Sequence, residues 1–271
     1  MPLCEALLEE IRNARPPQDC AALWWLGQMG YAVKIGGTAI LIDGFLCPRE
    51  DRLIPPAFDP EQADCFDAVL GTHDHDDHID CWAWRRIARA SDRTRFVGPA
   101  AHRERVCRET GIDPSRYVAM NEGARVQIGE ISIEAVAAAH EFLDRDPATG
   151  WYPHLSYVLA GKIFHGGDTL IYEGQREKLR RFGRFAAMIL PINGRDGARY
   201  RRNCIGNMTF QEAADLAGEL RPMAAIPGHY DMFSGNLGDP EAFADYLDAK
   251  YPGMQSIIPR RFERFDCALD A

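Results

Sequence analysis

The segment Thr72-His73-Asp74-His75-Asp76-Asp77-His78 gathers three of the chain's eight histidines into six residues. It follows the apolar run Ala68-Val69-Leu70-Gly71, which reads as a buried strand, so the cluster occupies the loop leaving a strand end. His73 and His75 are two apart and point to the same side in extended backbone. Asp77 and His78 then turn toward a second point. This spacing suits two adjacent divalent ions better than one. Such an ion lowers the pKa of bound water to about 7 and so makes hydroxide available at neutral pH. Two ions about 3.5–4 Å apart can hold a nucleophile between them and polarise the scissile group. A solvated acidic loop whose histidines help cap the next helix is the alternative for the same residues.

Further candidates lie downstream, each just past a strand-like run. His140 follows the alternating segment Ile131-Ser132-Ile133-Glu134-Ala135-Val136. Asp168 stands in His165-Gly166-Gly167-Asp168-Thr169, and His229 in Pro227-Gly228-His229-Tyr230-Asp231 after Ala224-Ala225-Ile226. Asp43 ends Leu41-Ile42-Asp43-Gly44. Alone, His140 is as readily a core histidine as a ligand, and Asp43 as readily a turn residue.

Taken together, this order of motifs resembles the metallo-β-lactamase superfamily. The resemblance implies a fold of the α/β (α+β) class, an αββα four-layer sandwich. It implies His73, His75 and His140 around one metal, Asp77, His78 and His229 around the other, and Asp168 bridging the two. A carboxylate has two oxygens, so Asp168 can serve both ions and offset their repulsion. Asp77 and Asp168 are thereby the carboxylates closest to the catalytic chemistry, and Asp43 is expected to orient ligands from behind. The implied cofactor is a pair of divalent ions, manganese or zinc, with iron also suited to histidine and carboxylate. Within the superfamily, Trp24-Trp25-Leu26-Gly27, the run from Thr72 to Asp80 and the Pro227–Asp231 segment are similar to the L-ascorbate-6-phosphate lactonases and their relatives. That implies attack of hydroxide on a lactone carbonyl with one ion stabilising the oxyanion. A phosphodiesterase uses the same ion pair and is the alternative activity. A nonenzymatic metal-binding sensor is the alternative from another class, and its mark would be missing ligands.

These residues need elements to position them. Ala32–Ile35 and Ala39–Ile42 flank Gly36-Gly37 and predict a hairpin. Residues 49–64 carry three prolines and much charge and predict a surface loop of the kind that borders a site. Helices are expected over 79–90, over 100–110 with Gly111 as the stop, and over 175–182. Thr209 with Glu212 three residues on is a capping-box signal for a helix over 209–220, and Asp239 should cap another over 240–250. Short strands are expected over 125–136 around Gly129-Glu130, over 156–160 and 162–165, and over 186–191 and 224–226. Mixed sheets packed face to face, helices outside, accommodate this alternation. Trp24, Trp25, Trp82 and Trp84 read as packing residues. Trp151 could wall the cleft, and His154 falls outside the ligand pattern.

Composition sets the bounds. The 271 residues are 46% hydrophobic, with no linker, repeat or low-complexity tract, so one hydrolase domain over 1–271 is expected. Residues 1–20 should form an N-terminal helical extension, because Leu3, Leu7, Leu8 and Ile11 interleave with Glu5, Glu9 and Glu10. This is neither a signal peptide nor a membrane span. Eight scattered cysteines suggest no disulfide framework and a cytoplasmic setting. The net charge of −9 argues against an extended nucleic-acid groove and leaves room for a local basic pocket.

One stretch runs against that acidity. Between Asn193 and Asn207, Arg195, Arg199, Arg201 and Arg202 fall within eight residues. Guanidinium groups hold phosphate or carboxylate through paired hydrogen bonds, and Asn193 and Asn203 could reach hydroxyls. The expected partner is a small anionic, phosphorylated, sugar-derived substrate. The competing use is ion pairing with nearby carboxylates or with a second copy in a homo-oligomer.

Overall fold

The computed structural model describes residues 3–270. Its centre is two seven-stranded mixed sheets, ordered β14-β1-β2-β3-β4-β5-β6 and β13-β12-β11-β10-β9-β8-β7. In the first sheet β1 is Cys20–Gly27, β2 Gly30–Ile35, β3 Thr38–Ile42, β4 Ala68–Leu70, β5 Arg95–Pro99, β6 Tyr117–Met120 and β14 Arg264–Ala268. In the second β7 is Arg125–Ile128, β8 Ile131–Ala137, β9 Leu155–Leu159, β10 Ile163–His165, β11 Ala187–Pro191, β12 Ala224–Gly228 and β13 Gln255–Ser256. The helices are α1 Leu3–Asn13, α2 Cys81–Ala90, α3 Arg103–Thr110, α4 Gln175–Arg180, α5 Gly197–Tyr200, α6 Phe210–Leu220 and α7 Pro240–Lys250.

Strand β1 shows how the layers form. Ala21, Leu23 and Trp25 enter the core between the sheets, while Ala22, Trp24 and Leu26 enter the core beneath the outer helices. Both faces are apolar, so the strand carries no polar alternation. Residues Leu7, Leu8 and Ile11 of α1 join the outer core, and buried Lys34 caps that helix by donating to the carbonyls of Ile11 and Arg12. Of the helical extension expected over 1–20, Leu3–Asn13 is helix, packed through Leu7, Leu8 and Ile11, residues 14–19 are not, and Cys20 already begins β1; Met1 and Pro2 lie outside the described residues. Helices α6 and α7 cover the second sheet through Leu216, Ala217, Phe243 and Leu247.

The predicted hairpin, the capping box at Thr209 and the cap at Asp239 are all present. The helix expected over 100–110 is split, a 3₁₀ turn over Ala100–His102 preceding α3, and it stops at Gly111 in the left-handed region. Strands β1, β5, β6, β13 and β14 and the short α5 were not anticipated. Among the described residues no helix is long and apolar enough to cross a membrane, and the cysteines from Cys20 to Cys267 are all free.

Strands β3 and β4 pair in parallel in one sheet, and β10, β11 and β12 pair in parallel in the other. Their carboxyl ends gather Asp43, the loop from Thr72, Asp168, Asn193 and His229 at one edge. Such an edge is where open sheets of this kind hold their ligands.

Candidate metal centre

The loop after β4 is fixed by its own first residue. Thr72 donates its backbone N–H and its hydroxyl to the two oxygens of Asp43, at 2.9 and 2.8 Å. Asp43 also meets Nδ1 of His78 at 2.7 Å, which leaves the opposite nitrogen, Nε2, facing inward. Gly167 lets the Asp168 loop approach: a Cβ there would lie 2.8 Å from Thr72, and its φ is +60°. The loop bearing His140 is tied to the same place, Ala139 N–H donating to Thr169 Oγ1 at 3.1 Å.

Two sets of metal-competent side chains result. His73, His75, His140 and Asp168 present ligand atoms within 4.8 Å of one another, and so do Asp77, His78 and His229. Asp168 lies between them. Its Oδ1 is 3.2 Å from Nε2 of both His78 and His229, and its Oδ2 is 3.9 Å from Nε2 of His140. Five imidazoles and two carboxylates thus converge with one carboxylate oxygen turned to each set.

Electrostatics separates the sets. Burial holds the His73 imidazole well below its usual range and His140 at about 4, so both are neutral and ready to donate lone pairs. Burial opposes charge on His78 and His229 too, yet Asp168 and its fellow carboxylates carry both above the usual histidine range. Burial likewise opposes the charged forms of Asp77 and Asp168, and His78 and His229 outweigh it to hold both carboxyls low.

This donor set fits divalent ions. His78 Nε2 and Asp168 Oδ1, the atoms turned toward the centre, are buried with no hydrogen-bond partner. Buried polar atoms without partners are costly unless something else binds them, and histidine with carboxylate suits zinc, manganese or iron.

Beside the ligands lies a cleft of about 490 Å³ lined by Phe45, Arg49, Asp74, His75, Asp77, Arg202, Cys204, Phe233 and Asn236, among others. Here the arginine-rich loop divides. Arg202 lines the cleft, and one of its N–H groups donates to Gly235 O at 3.1 Å. Arg195 instead closes a two-pronged pair with Glu212 at 2.5 and 2.7 Å and reaches Asn207 O. Arg199 is taken up by Asp196, Asn236 and Leu237 O. Asn193 is buried, donating to Asn236 and accepting from Asn207. The polar groups of these three residues are engaged with the loop itself and its neighbours. Arg201 and Asn203 are exposed and do not line the cleft.

Three other placements matter. Trp151 lines a separate cavity of about 800 Å³ with α3 rather than the cleft. The His154 ring centroid lies 5.4 Å from those of His73, tilted, and His140, edge-on, but His154 joins neither ligand set. Arg49, in the loop expected to border the site, enters the cleft paired with Asp51 and 3.4 Å from Asp76. Gln28 is the residue that sequence reasoning missed. It is fully buried in the β1–β2 turn, and its side-chain N–H donates to Asp77 Oδ2 at 3.0 Å. The only trace of it in the sequence is a lone amide in a turn between two apolar strands.

A family model described as "Beta-lactamase superfamily domain" matches residues 38–230. A "UPF0173 metal-dependent hydrolase" of Hyperthermus butylicus is 27% identical over 232 residues, covering 83% of this chain and 90% of that protein. A "Probable L-ascorbate-6-phosphate lactonase UlaG" of Salmonella heidelberg is 26% identical over 282 residues, covering 87% and 76%. Among solved structures, Igni18, a metallo hydrolase from Ignicoccus hospitalis, superposes with a TM-score of 0.65 at 21% identity, covering 91% and 98%.

Proposed function

The chain belongs to the beta-lactamase superfamily and is a metal-dependent hydrolase; from that premise we propose that it opens the lactone ring of a small phosphorylated sugar derivative. One observation carries the reading. The two ligand sets, joined through the two oxygens of Asp168, border a cleft that also receives the guanidinium of Arg202.

His73, His75 and His140 would hold one divalent ion, Asp77, His78 and His229 a second, and Asp168 both. When bound, such ions lower the pKa of water toward neutrality and polarise a carbonyl oxygen. The chain's own residues do the rest. Asp43 fixes the His78 ring so that Nε2 faces the centre. Asp77 and Asp168 are held ionised by their histidine neighbours and act as ligands, not proton donors. Phe45 and Phe233 pack on each other with ring centroids 6.1 Å apart, and the half-buried Phe233 gives the cleft an aromatic wall against which a sugar ring can pack. Arg202, with one N–H used on Gly235, offers its remaining donors to a phosphate. Arg49 stands in the same cleft, shared with two carboxylates.

The test is a panel assay of purified, metal-loaded protein on sugar lactones with and without a phosphate group, and on bis(p-nitrophenyl) phosphate. Faster opening of the phosphorylated lactone is expected. Turnover of the phosphodiester with none of any lactone would replace this reading with the phosphodiesterase one.

A further inference from the structure

We propose that Gln28 is the positioning residue of the second ligand set, holding Asp77 through its neutral side-chain amide and the main chain of His229 through its carbonyl; this rests on the two-ion reading above. Gln28 lies 49 residues from Asp77 and 201 from His229 in sequence, yet it touches both. Its Nε2 donates to Asp77 Oδ2 at 3.0 Å and stands 3.4 Å from His229 Nε2. Those two ligand atoms are themselves 3.6 Å apart. The main chain of Gln28 completes the clamp. Its carbonyl accepts from His229 N–H at 3.0 Å and from Trp25 Nε1 at 3.0 Å, and its N–H donates to Asp231 Oδ1 at 2.9 Å.

Backbone strain shows what the clamp restrains. Gln28 has φ of +55° and His229 φ of +58°, both in the region that side chains other than glycine seldom adopt. Such conformations persist where their surroundings over-determine them, and they gather at functional sites. The hydrogen bond from His229 N–H to Gln28 O joins the two left-handed residues directly.

The residue type supports positioning over packing. Gln28 is completely buried, and its Oε1 has no hydrogen-bond partner. A purely structural residue in this turn would avoid that cost, and methionine would fill nearly the same volume. An amide is also well matched to its place beside a cation site. A lysine or arginine would repel the ion, and an aspartate or glutamate would compete as a ligand. A neutral N–H donor orients the Asp77 carboxylate without altering the charge of the set, the part that outer groups commonly play around metal ligands.

The experiment is a metal titration of Gln28→Met in the full chain, with zinc or manganese alone and no substrate. Loss of such an orienting group costs about 10- to 100-fold in metal affinity. We expect that loss for one ion, unchanged affinity for the other, and a metal-free melting temperature no lower than that of the wild type. A double-mutant cycle identifies the ion. Gln28→Met should add little to His229→Ala and should add its full effect to His140→Ala. Wild-type affinity at both ions in Gln28→Met, or equal weakening of both, overturns the proposal. Gln28→Asn guards against a folding defect, because asparagine tolerates the left-handed backbone but is one methylene too short to reach Asp77. It should lose affinity for the same single ion. Because no substrate enters the titration, failure of the lactonase reading leaves this result untouched. Failure of the clamp likewise leaves the substrate panel to stand or fall by itself.

Discussion

The loop from Thr72 to His78 carries three histidines and three aspartates; the loop from Asn193 to Asn207 carries four arginines. Both leave strand ends at the same edge of the fold, and both are dense in groups that bind charged partners. They differ in what the protein has already done with those groups. In the first loop His78 Nε2 is buried, makes no hydrogen bond and faces the other candidate ligands, and its other nitrogen is held by Asp43 so that it stays available. In the second loop Arg195 is closed on Glu212, and Arg199 on Asp196, Asn236 and Leu237. Residue type announces what a side chain could bind. Whether it is free to bind is decided by partners that can lie far along the chain.

The strongest way to break this contrast is to remove the group that joins the ligand sets. Asp168→Ala takes away the oxygen facing His78 and His229 and the oxygen facing His140 together. Turnover is expected to fall by at least about 10²–10³-fold, the scale seen when a group stabilising charge at the reacting centre is lost. Elemental analysis alongside kinetics checks it. A variant with full metal content and normal kcat would show that nothing bridges there.

Next in size is the divided arginine loop. Arg202→Ala removes a charge-assisted contact from the cleft and should raise KM for a phosphorylated substrate about 10- to 150-fold. The same lactone without phosphate should be nearly unaffected, because it never made the contact. Arg195→Ala should leave KM for both substrates as it was. Equal losses on both substrates in Arg202→Ala would return that residue to the loop's own framework.

A sharper boundary can be drawn inside the histidine cluster. His154 lies as close to His73 and His140 as a ligand might, with ring centroids 5.4 Å apart, but offers no atom to either set. His154→Ala should leave metal content unchanged by elemental analysis. Loss of one equivalent would mean that His154 and not His140 completes the first set.

The same contrast explains what could be read from the sequence. The two metal-competent sets were legible because their residues follow apolar runs and four of the seven, His73, His75, Asp77 and His78, are crowded into one motif. The αββα layering followed from alternating strands and helices. Strand β1 was obscured because Ala21, Leu23 and Trp25 serve one core while Ala22, Trp24 and Leu26 serve the other, which erases the period of two. Gln28 was invisible because its function depends on residues 49 and 201 positions away. The ion pair of Arg195 was hidden because its partner, Glu212, reads in the sequence only as half of a capping box. Glu212 does both: Oε2 accepts from Thr209 N–H at 2.9 Å and from Arg195 at 2.5 Å.

That double role supplies the smallest effect and the finest test. The hydrogen bonds from Arg195, opposed by partial burial, hold the Glu212 carboxyl below its usual range. A carboxyl with a lowered folded-state pKa contributes stability that is fully present above the unfolded value, about 4.3. That contribution fades as pH falls through the folded value. The side chains of the pair are about one third exposed, at 31% and 34%, so solvent screens them and the contribution is only about 1 kcal/mol. Glu212→Gln keeps an acceptor for the Thr209 cap and removes the charge. At pH 7 it should melt about 2–4 °C below the wild type, with KM for the phosphorylated substrate unchanged. The gap should narrow as both proteins are taken below pH 4, and about 1 M salt should narrow it at pH 7, where the Debye length is about 3 Å. A gap independent of pH and salt would mean the glutamate acts through packing alone. A raised KM would mean that Arg195, released from Glu212, had been serving the substrate after all.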